Sequence, residues 1–564
     1  MSSNQKPWLK SYGPGILGEI KPPESSLTGY LEKAAHQAAE LPAVHFLGMT
    51  LTRWDLNQRI NRMANALGEI GLGKGDVVSI CMPNTPQYFI SLLGALKAGC
   101  WVSSVSPLLT GNEMLYQLND CGAKVMVAEN RLFEGKIAGV VNELNDLKTI
   151  ITTGLTDLLP ESKQKKAEAP DRTLSDETLS LPGKRVLAFQ RVLTTSPSTS
   201  PDIQVSLDDP SLIQYTGGTT GPSKGAVITH RNLIVNIIQF QTVYGFKAES
   251  DVFCTGLPMF HIGGLGVSLV ALYTGMPQII IPDPRDLDYF LKQIAKYKPT
   301  VCANVPTLYL MFLNEPLFHD IDWSTLKFFF SGAAPFTEDG INAVESVIGQ
   351  GKVRELYGMT ETSPGVAIDQ PGVKKRVGSV GLPKPSTQVR VVDPMEEGVD
   401  VPMGQEGEIL VSGPQVMQGY YNKPEENANV FVEIDGERWL RTGDIGRMDE
   451  DGFLYIVDRI KDMIIVSGFK VFSTELENVL AEHPAIEMCA AVGAPNPDRP
   501  ETEMVKLVVQ KSTTYVEEHD DQVREDILFF AREKLAPYKV PKVIEFREMP
   551  LTVVGKIDKK QLRT

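Results

Sequence analysis

The chain alternates between two spacings of apolar residues. Leu56, Ile60, Met63, Ala64 and Leu67 recur at helical spacing, and Gly71, Gly73 and Gly75 then interrupt them. Val77-Val-Ser-Ile-Cys81 is a short apolar run of the buried-strand kind, Tyr88 to Ala98 reads as helix, and Lys124-Val-Met-Val-Ala128 reads as strand. The rhythm resumes between 208 and 400, where Gln278-Ile-Ile-Ile281, Thr300-Val-Cys-Ala303 and Leu326-Lys-Phe-Phe-Phe330 are apolar on both faces. From 386 onward shorter alternating strands take over, such as Gln388-Val-Arg-Val-Val392 and Gly407-Glu-Ile-Leu-Val411. The last stretch has its own pattern: helix at Ser473 to Glu482, strands at Glu487 to Val492 and Val505 to Gln510, helix at Asp521 to Lys534. The expected class is α/β, with a large N-terminal domain of helix-covered, mainly parallel sheets, a small β subdomain and a smaller α+β C-terminal domain.

Two segments break the rhythm. Val252 to Pro282 carries no Asp, Glu, Lys or Arg, which is long enough to span a bilayer. Its Pro258, Pro277, Pro282 and five glycines fit a buried strand–helix–strand crossover better. Glu161 to Glu177 is rich in Lys, Glu, Asp and Ser and reads as a solvated loop or surface hairpin. Its Lys163, Lys165 and Lys166 are a thin basis for contact with anionic lipid.

Composition narrows the function. A net charge of −15 argues against a nucleic-acid partner, which would call for a basic face. Six scattered cysteines form no C-x-x-C pair, which points to buried thiols in a reducing compartment and to no zinc site. Met1 to Pro14 has no apolar signal core.

The densest chemistry lies in Tyr215-Thr-Gly-Gly-Thr-Thr-Gly-Pro-Ser-Lys224-Gly225, which holds four glycines, three threonines, a serine and a lysine. Glycines let backbone N–H groups converge on one point, and converging amides with hydroxyls and an ammonium cradle an anion. The strand-like Ser211 to Tyr215 leads in, and the apolar run Leu233 to Phe240 follows Thr229-His-Arg-Asn232, so a helix starts just downstream. A flexible linker is the plainer alternative. Ser223 before the lysine and Gly225 after it exclude a Walker A loop, and the G-x-G-x-x-G spacing fails too.

This string resembles the phosphate loop of the adenylate-forming superfamily, which includes acyl-CoA synthetases, adenylation domains of peptide synthetases and firefly-type luciferases. Further signatures follow in that family's order: Leu356-Tyr-Gly-Met-Thr-Glu361, Arg441-Thr-Gly-Asp444, Asp458-Arg-Ile-Lys-Asp462 with Val466-Ser-Gly-Phe469, and Gly555-Lys556-Ile557. Trp8-Leu9-Lys10 and Gly413 to Tyr420 fit the bacterial long-chain fatty acyl-CoA synthetases within it. The resemblance implies an adenylation domain over 1–459 and a mobile C-terminal domain over 460–564.

The resemblance also implies roles. Thr216, Gly217, Gly218, Thr219, Thr220 and Lys224 would hold the ATP phosphates; Gly332, Ala333 and Ala334, after a buried strand, would line the adenine slot with Tyr357, whose ring suits a flat π face. Gly358, Met359 and Thr360 would continue the nucleotide site, Thr360 toward the α-phosphate, with Glu361 and Thr220 on Mg²⁺, a metal that prefers carboxylate and phosphate oxygens. Asp444 would accept the ribose hydroxyls, and Arg459, fifteen positions on, would reach the ribose or phosphates. Lys556 would neutralise the attacking carboxylate and the α-phosphate. Lys461 is the implied hinge, and Ser467, Gly468 and Phe469 the implied pantetheine tunnel. Each has a plainer alternative: helix cap for Thr360-Glu361, turn residue and surface ion pair for Asp444 and Arg459, solvated terminus for Lys556. His261 would shape the mouth between acyl and ATP sites or sit as a core histidine; Gly263 and Gly264 leave room for an alkyl tunnel or for close packing. Ser473, where relatives often carry proline, is expected to alter local stiffness and not chemistry.

The implied reaction activates a fatty acid, medium to long chain, as acyl-AMP and passes it to CoA, with ATP, CoA and Mg²⁺ as partners. The alternatives are loading of a carrier protein, ligation of aromatic acids of the coumarate type, or a non-catalytic nucleotide-binding regulator. The expected location is the cytoplasm, with peripheral contact at the inner membrane and the choice of monomer or homodimer both open.

Overall fold

A computed structural model describes the chain apart from residues 1–5, 161, 163–173, 175–178, 180, 217–221, 395, 397, 467–468, 498–501, 516–518, 552–556 and 564, and apart from the side chains of 469, 470 and 513. The helical spacing around Leu56 becomes the helix Arg53–Glu69, with Leu56, Ile60, Met63, Ala64 and Leu67 all buried. Thr52 starts it: the Asp55 N–H donates to its hydroxyl and its own N–H donates to the Asp55 carboxylate, a reciprocal cap contributing about 1 kcal/mol.

Among the described residues one sheet has eight strands. It runs Gly419–Tyr420, Lys224–Thr229, Pro210–Thr216, Trp101–Ser104, Val77–Cys81, Ala123–Glu129, Thr149–Thr153 and Arg185–Ala188. From Pro210–Thr216 to Arg185–Ala188 every pairing is parallel. Val77–Cys81 lies in the middle and is buried throughout, which is why its residues are apolar without alternation.

A nine-stranded sheet is parallel across Val353–Gly358, Phe328–Ser331, Val301–Asn304, Phe253–Thr255, Gln278–Ile280 and Pro42–Phe46. Antiparallel strands close both of its edges. The uncharged run is the expected crossover: strand Phe253–Thr255, helix Ile262–Thr274, strand Gln278–Ile280. No helix among the described residues is long and apolar enough to cross a membrane.

The small β subdomain is an antiparallel sheet of Gln388–Val392, Gly407–Ser412, Glu437–Met448, Phe431–Ile434 and Leu454–Arg459. Trp8 is buried in its core. Beyond it, helices Ser473–Leu480 and Asp520–Lys534 pack on the strands Ile486–Pro495, Glu503–Lys511 and Val543–Phe546.

Most of Glu161 to Glu177 lies outside the described residues; within it Ser162 is exposed and Leu174 is buried, its carbonyl accepting from the Thr152 hydroxyl at 2.7 Å. Shortly after, Arg185–Ala188 adds an edge strand to the eight-stranded sheet.

Candidate active site

The glycine loop joins two strands of a hairpin. Pro210–Thr216 and Lys224–Thr229 pair antiparallel with Thr216 opposite Lys224, so the residues flanking the glycine loop sit side by side. Helix His230–Tyr244 follows, capped reciprocally by Thr229 and Asn232. The hairpin is braced from the side: Tyr215 donates to Asp120 Oδ2 at 2.6 Å, and Lys423 reaches Asp120 Oδ1 at 3.2 Å. Gly217, Gly218, Thr219 and Thr220 themselves lie outside the described residues. Lys224 is half-buried and its ammonium pairs with Glu426, on the helix Pro424–Val430.

On the other sheet, Phe328–Ser331 delivers Gly332, Ala333 and Ala334 just past its C-terminal end. Ala333 is exposed and has φ +69°, a left-handed backbone that an alanine adopts at a cost. The neighbouring strand Val353–Gly358 carries Tyr357 at its end. Gly358 follows because a Cβ there would lie 1.8 Å from the Pro364 carbonyl oxygen. Met359 and the 3-10 turn Thr360–Thr362 come next, with Thr360 buried and Glu361 half-buried.

The strongest juxtaposition is Tyr357, Asp444 and Arg459. Asp444 and Arg459 are directly opposed on Glu437–Met448 and Leu454–Arg459, so their fifteen-residue separation is a hairpin. Arg459 Nε lies 2.9 Å from Asp444 Oδ1, and the Tyr357 hydroxyl donates to Asp444 Oδ2 at 2.7 Å. The turn-residue alternative fails for Asp444, which is only 2% exposed and sits within a strand, while Arg459 forms an ion pair with a side chain 43% exposed. Burial, then the Asp444 charge, pushes the Tyr357 phenol well above its ordinary range. Asp444 also holds the Arg459 guanidinium above its usual value. Lys461, two residues on in the turn Ile460–Asp462, is pushed down by burial and by Arg459. Its carbonyl accepts from Arg563 at 2.6 Å.

The acyl-pocket candidates divide. The His261 ring caps the helix Ile262–Thr274, Nδ1 accepting from the Gly263 N–H at 3.1 Å. Gly264 sits where a Cβ would lie 2.3 Å from the Pro258 carbonyl oxygen, a close-packing position. Lys556, Ser467 and Gly468 lie outside the described residues, as does the Phe469 side chain; the Phe469 backbone forms the strand Phe469–Val471.

Three groups make contacts that no sequence pattern marks. Tyr420 donates to Glu361 Oε1 at 2.6 Å, across a separation no local pattern marks. Glu426 faces Lys224. Ser473 is fully buried and donates to both oxygens of Asp458 at 3.1 and 3.0 Å, while Lys559 donates to Ser473 Oγ at 2.7 Å and pairs with Glu477 at 2.7 Å. Ser473 is thus a polar junction that ties Asp458, ahead of Lys461, to Lys559.

Parallel sheets whose C-terminal strand ends carry small, aromatic and paired charged groups are the usual setting for a nucleotide site in an α/β enzyme. The chain belongs to the AMP-binding enzyme family, whose model matches residues 31–421, and the AMP-binding enzyme C-terminal domain matches 475–556. It is 36% identical over 572 residues to a long-chain-fatty-acid–CoA ligase of Escherichia coli O6:H1, covering 99% of this chain and 98% of that protein. A protein of the same description from Bacillus subtilis is 37% identical over 573 residues, with the same coverage of both chains. Among solved structures, ATP-bound MatB from Rhodopseudomonas palustris superposes with a TM-score of 0.82 at 27% identity, covering 95% of this chain and 98% of that one.

Proposed function

We propose that this protein is an AMP-forming fatty-acid–CoA ligase acting on medium to long chains. The observation that carries the reading is the similarity, over nearly the whole chain, to proteins described as long-chain-fatty-acid–CoA ligases. The Tyr357–Asp444–Arg459 geometry supports a nucleotide site built to match.

In the first half-reaction a carboxylate oxygen bonds the α-phosphorus of ATP and the bond to pyrophosphate breaks, leaving acyl-AMP. Asp444 takes the ribose hydroxyls: each carboxylate oxygen keeps acceptor capacity beyond its bond to Arg459 or Tyr357. The Tyr357 ring and the Gly332–Ala334 turn flank the adenine, and Met359 and Gly358 carry the chain past it. Thr216 and Lys224 flank the loop that holds the phosphates. Thr360 bonds the α-phosphate, and Lys556 steadies charge on the attacking and bridging oxygens. In the second half-reaction the CoA thiol displaces AMP. A rotation about Lys461 withdraws Lys556 and brings Ser467, Gly468 and Phe469 to the pantetheine, so pyrophosphate leaves before thiol arrives.

Glu361 fits a Mg²⁺ ion. One of its oxygens accepts from Tyr420, its second oxygen bonds no described group, and no group of three His, Cys, Asp or Glu side chains among the described residues forms a cage. That set suits Mg²⁺ held largely by phosphate oxygens and water. When bound, Mg²⁺ offsets the charge of the departing pyrophosphate.

Lys556→Ala tests the division of labour: acyl-AMP formation from free acid is lost, and thioester formation from preformed acyl-AMP is retained. Equal loss of both halves contradicts it.

A further inference from the structure

The strand Gly419–Tyr420 lies along the outer edge of the glycine-loop hairpin, with Tyr420 opposite Ala226 and the Tyr421 N–H donating to the Gly225 carbonyl at 2.8 Å. Asn427 fixes Tyr420 from both sides, accepting its N–H at 2.6 Å and donating to its carbonyl at 2.9 Å. From this position Tyr420 touches both halves of the site. Its ring lies 5.3 Å below the Lys224 ammonium. Its hydroxyl donates to Glu361 Oε1 at 2.6 Å, and Met417, three residues earlier, donates its N–H to the Glu361 carbonyl at 2.9 Å.

We infer that Tyr420 is a positioning residue that aims Glu361 at the metal while its ring carries the phosphate-binding Lys224, so that metal and phosphate contacts are set by one side chain. The inference rests on the roles proposed above for Glu361 and Lys224. A carboxylate turns freely about its terminal bond, and two orientations are nearly equivalent. Anchoring Oε1 leaves Oε2 as the oxygen not engaged by Tyr420. Outer-shell bonds of this kind fix ligand orientation before the metal arrives. The ring meanwhile offers the Lys224 ammonium a polarisable face, and Glu426 supplies a counter-charge that ATP must replace.

The test is ATP binding by calorimetry with and without Mg²⁺, on the full-length protein. Wild type binds ATP more tightly with Mg²⁺. In Tyr420→Phe, which keeps the ring and deletes the hydroxyl, the tightening by Mg²⁺ shrinks by about tenfold, the scale of one bond to a charged acceptor, while metal-free affinity stays within about twofold. Glu361→Gln removes the tightening, and adding Tyr420→Phe to it changes nothing further. Tyr420→Leu also weakens metal-free binding, because Lys224 loses its platform. Full retention of the Mg²⁺ effect in Tyr420→Phe, an equal loss with and without Mg²⁺, or an additive loss in the double variant overturns the inference and leaves the proposed ligase reading standing. Wild-type binding indifferent to Mg²⁺ overturns the inference together with the assignment of Glu361 to the metal.

Discussion

Asp444→Asn separates a structural role from a nucleotide-binding role by size of effect. In the folded chain the Asp444 carboxylate is 2% exposed and bonded by Arg459 and Tyr357. The ion pair stabilises little, because the Arg459 side chain is 43% exposed and its charge is screened, so about 1 kcal/mol or less is at stake. Asparagine keeps an acceptor for the tyrosine and leaves Arg459 free to hydrate. A loss of about 1 kcal/mol lowers the melting midpoint by about 2–4 °C in a domain of 150–250 residues, and by less in a larger one. The ribose is another matter. Each hydroxyl bonded to an ionised acceptor contributes about 1.5–3 kcal/mol, so replacing the carboxylate by an amide weakens ATP binding about 10- to 100-fold. Calorimetric titration with ATP and a melting curve on the same preparation read both quantities. A large drop in melting temperature with ATP affinity unchanged within about threefold refutes the assignment of Asp444 to the ribose.

Two further predictions follow from packing and burial. Gly264→Ala places a Cβ 2.3 Å from the Pro258 carbonyl oxygen, so it destabilises the protein by about 1–3 kcal/mol in urea unfolding; a variant of full stability that merely prefers shorter acids contradicts the close-packing reading. His230 is 1% exposed and its ring is held down to about 4, chiefly by burial. Because the unfolded ring takes a proton near 6.5 and the folded ring does not until about 4, stability falls as pH drops through that window, by up to about 3 kcal/mol. Unfolding curves between pH 7 and 4 show this, and His230→Gln flattens the slope; an unchanged slope contradicts it.

What was legible in the sequence was what local chemistry enforces. Val77 to Cys81 had to be a buried strand because nothing polar enough to face water interrupts it, and Thr229 to Asn232 had to start a helix because each end satisfies the other's backbone. The glycine loop stood out as a candidate because its residue types share one chemistry, and the structure describes its flanks, Thr216 and Lys224, directly opposed on paired strands. Asp444 and Arg459 were legible as separate motifs, and their contact became visible only once antiparallel pairing set the register. The missed residues act across long separations: Tyr420 meets Glu361, and Glu426 meets Lys224, through edge-strand pairing that has no periodic signature. Ser473 looked like a missing proline, whereas its hydroxyl joins Asp458 to Lys559 in a buried network. Arg185–Ala188 was hidden because a short edge strand following a polar stretch carries too few apolar residues to register.

The proposed reaction splits ATP between its α- and β-phosphates to activate a fatty acid for CoA. It is tested most directly by following AMP release with MgATP and CoA across acids from acetate to oleate, with coumarate included. AMP, pyrophosphate and acyl-CoA are expected in equal amounts from the medium- and long-chain acids, with far less of each from acetate and coumarate. AMP released from coumarate but from no fatty acid, or from no acid at all, contradicts it.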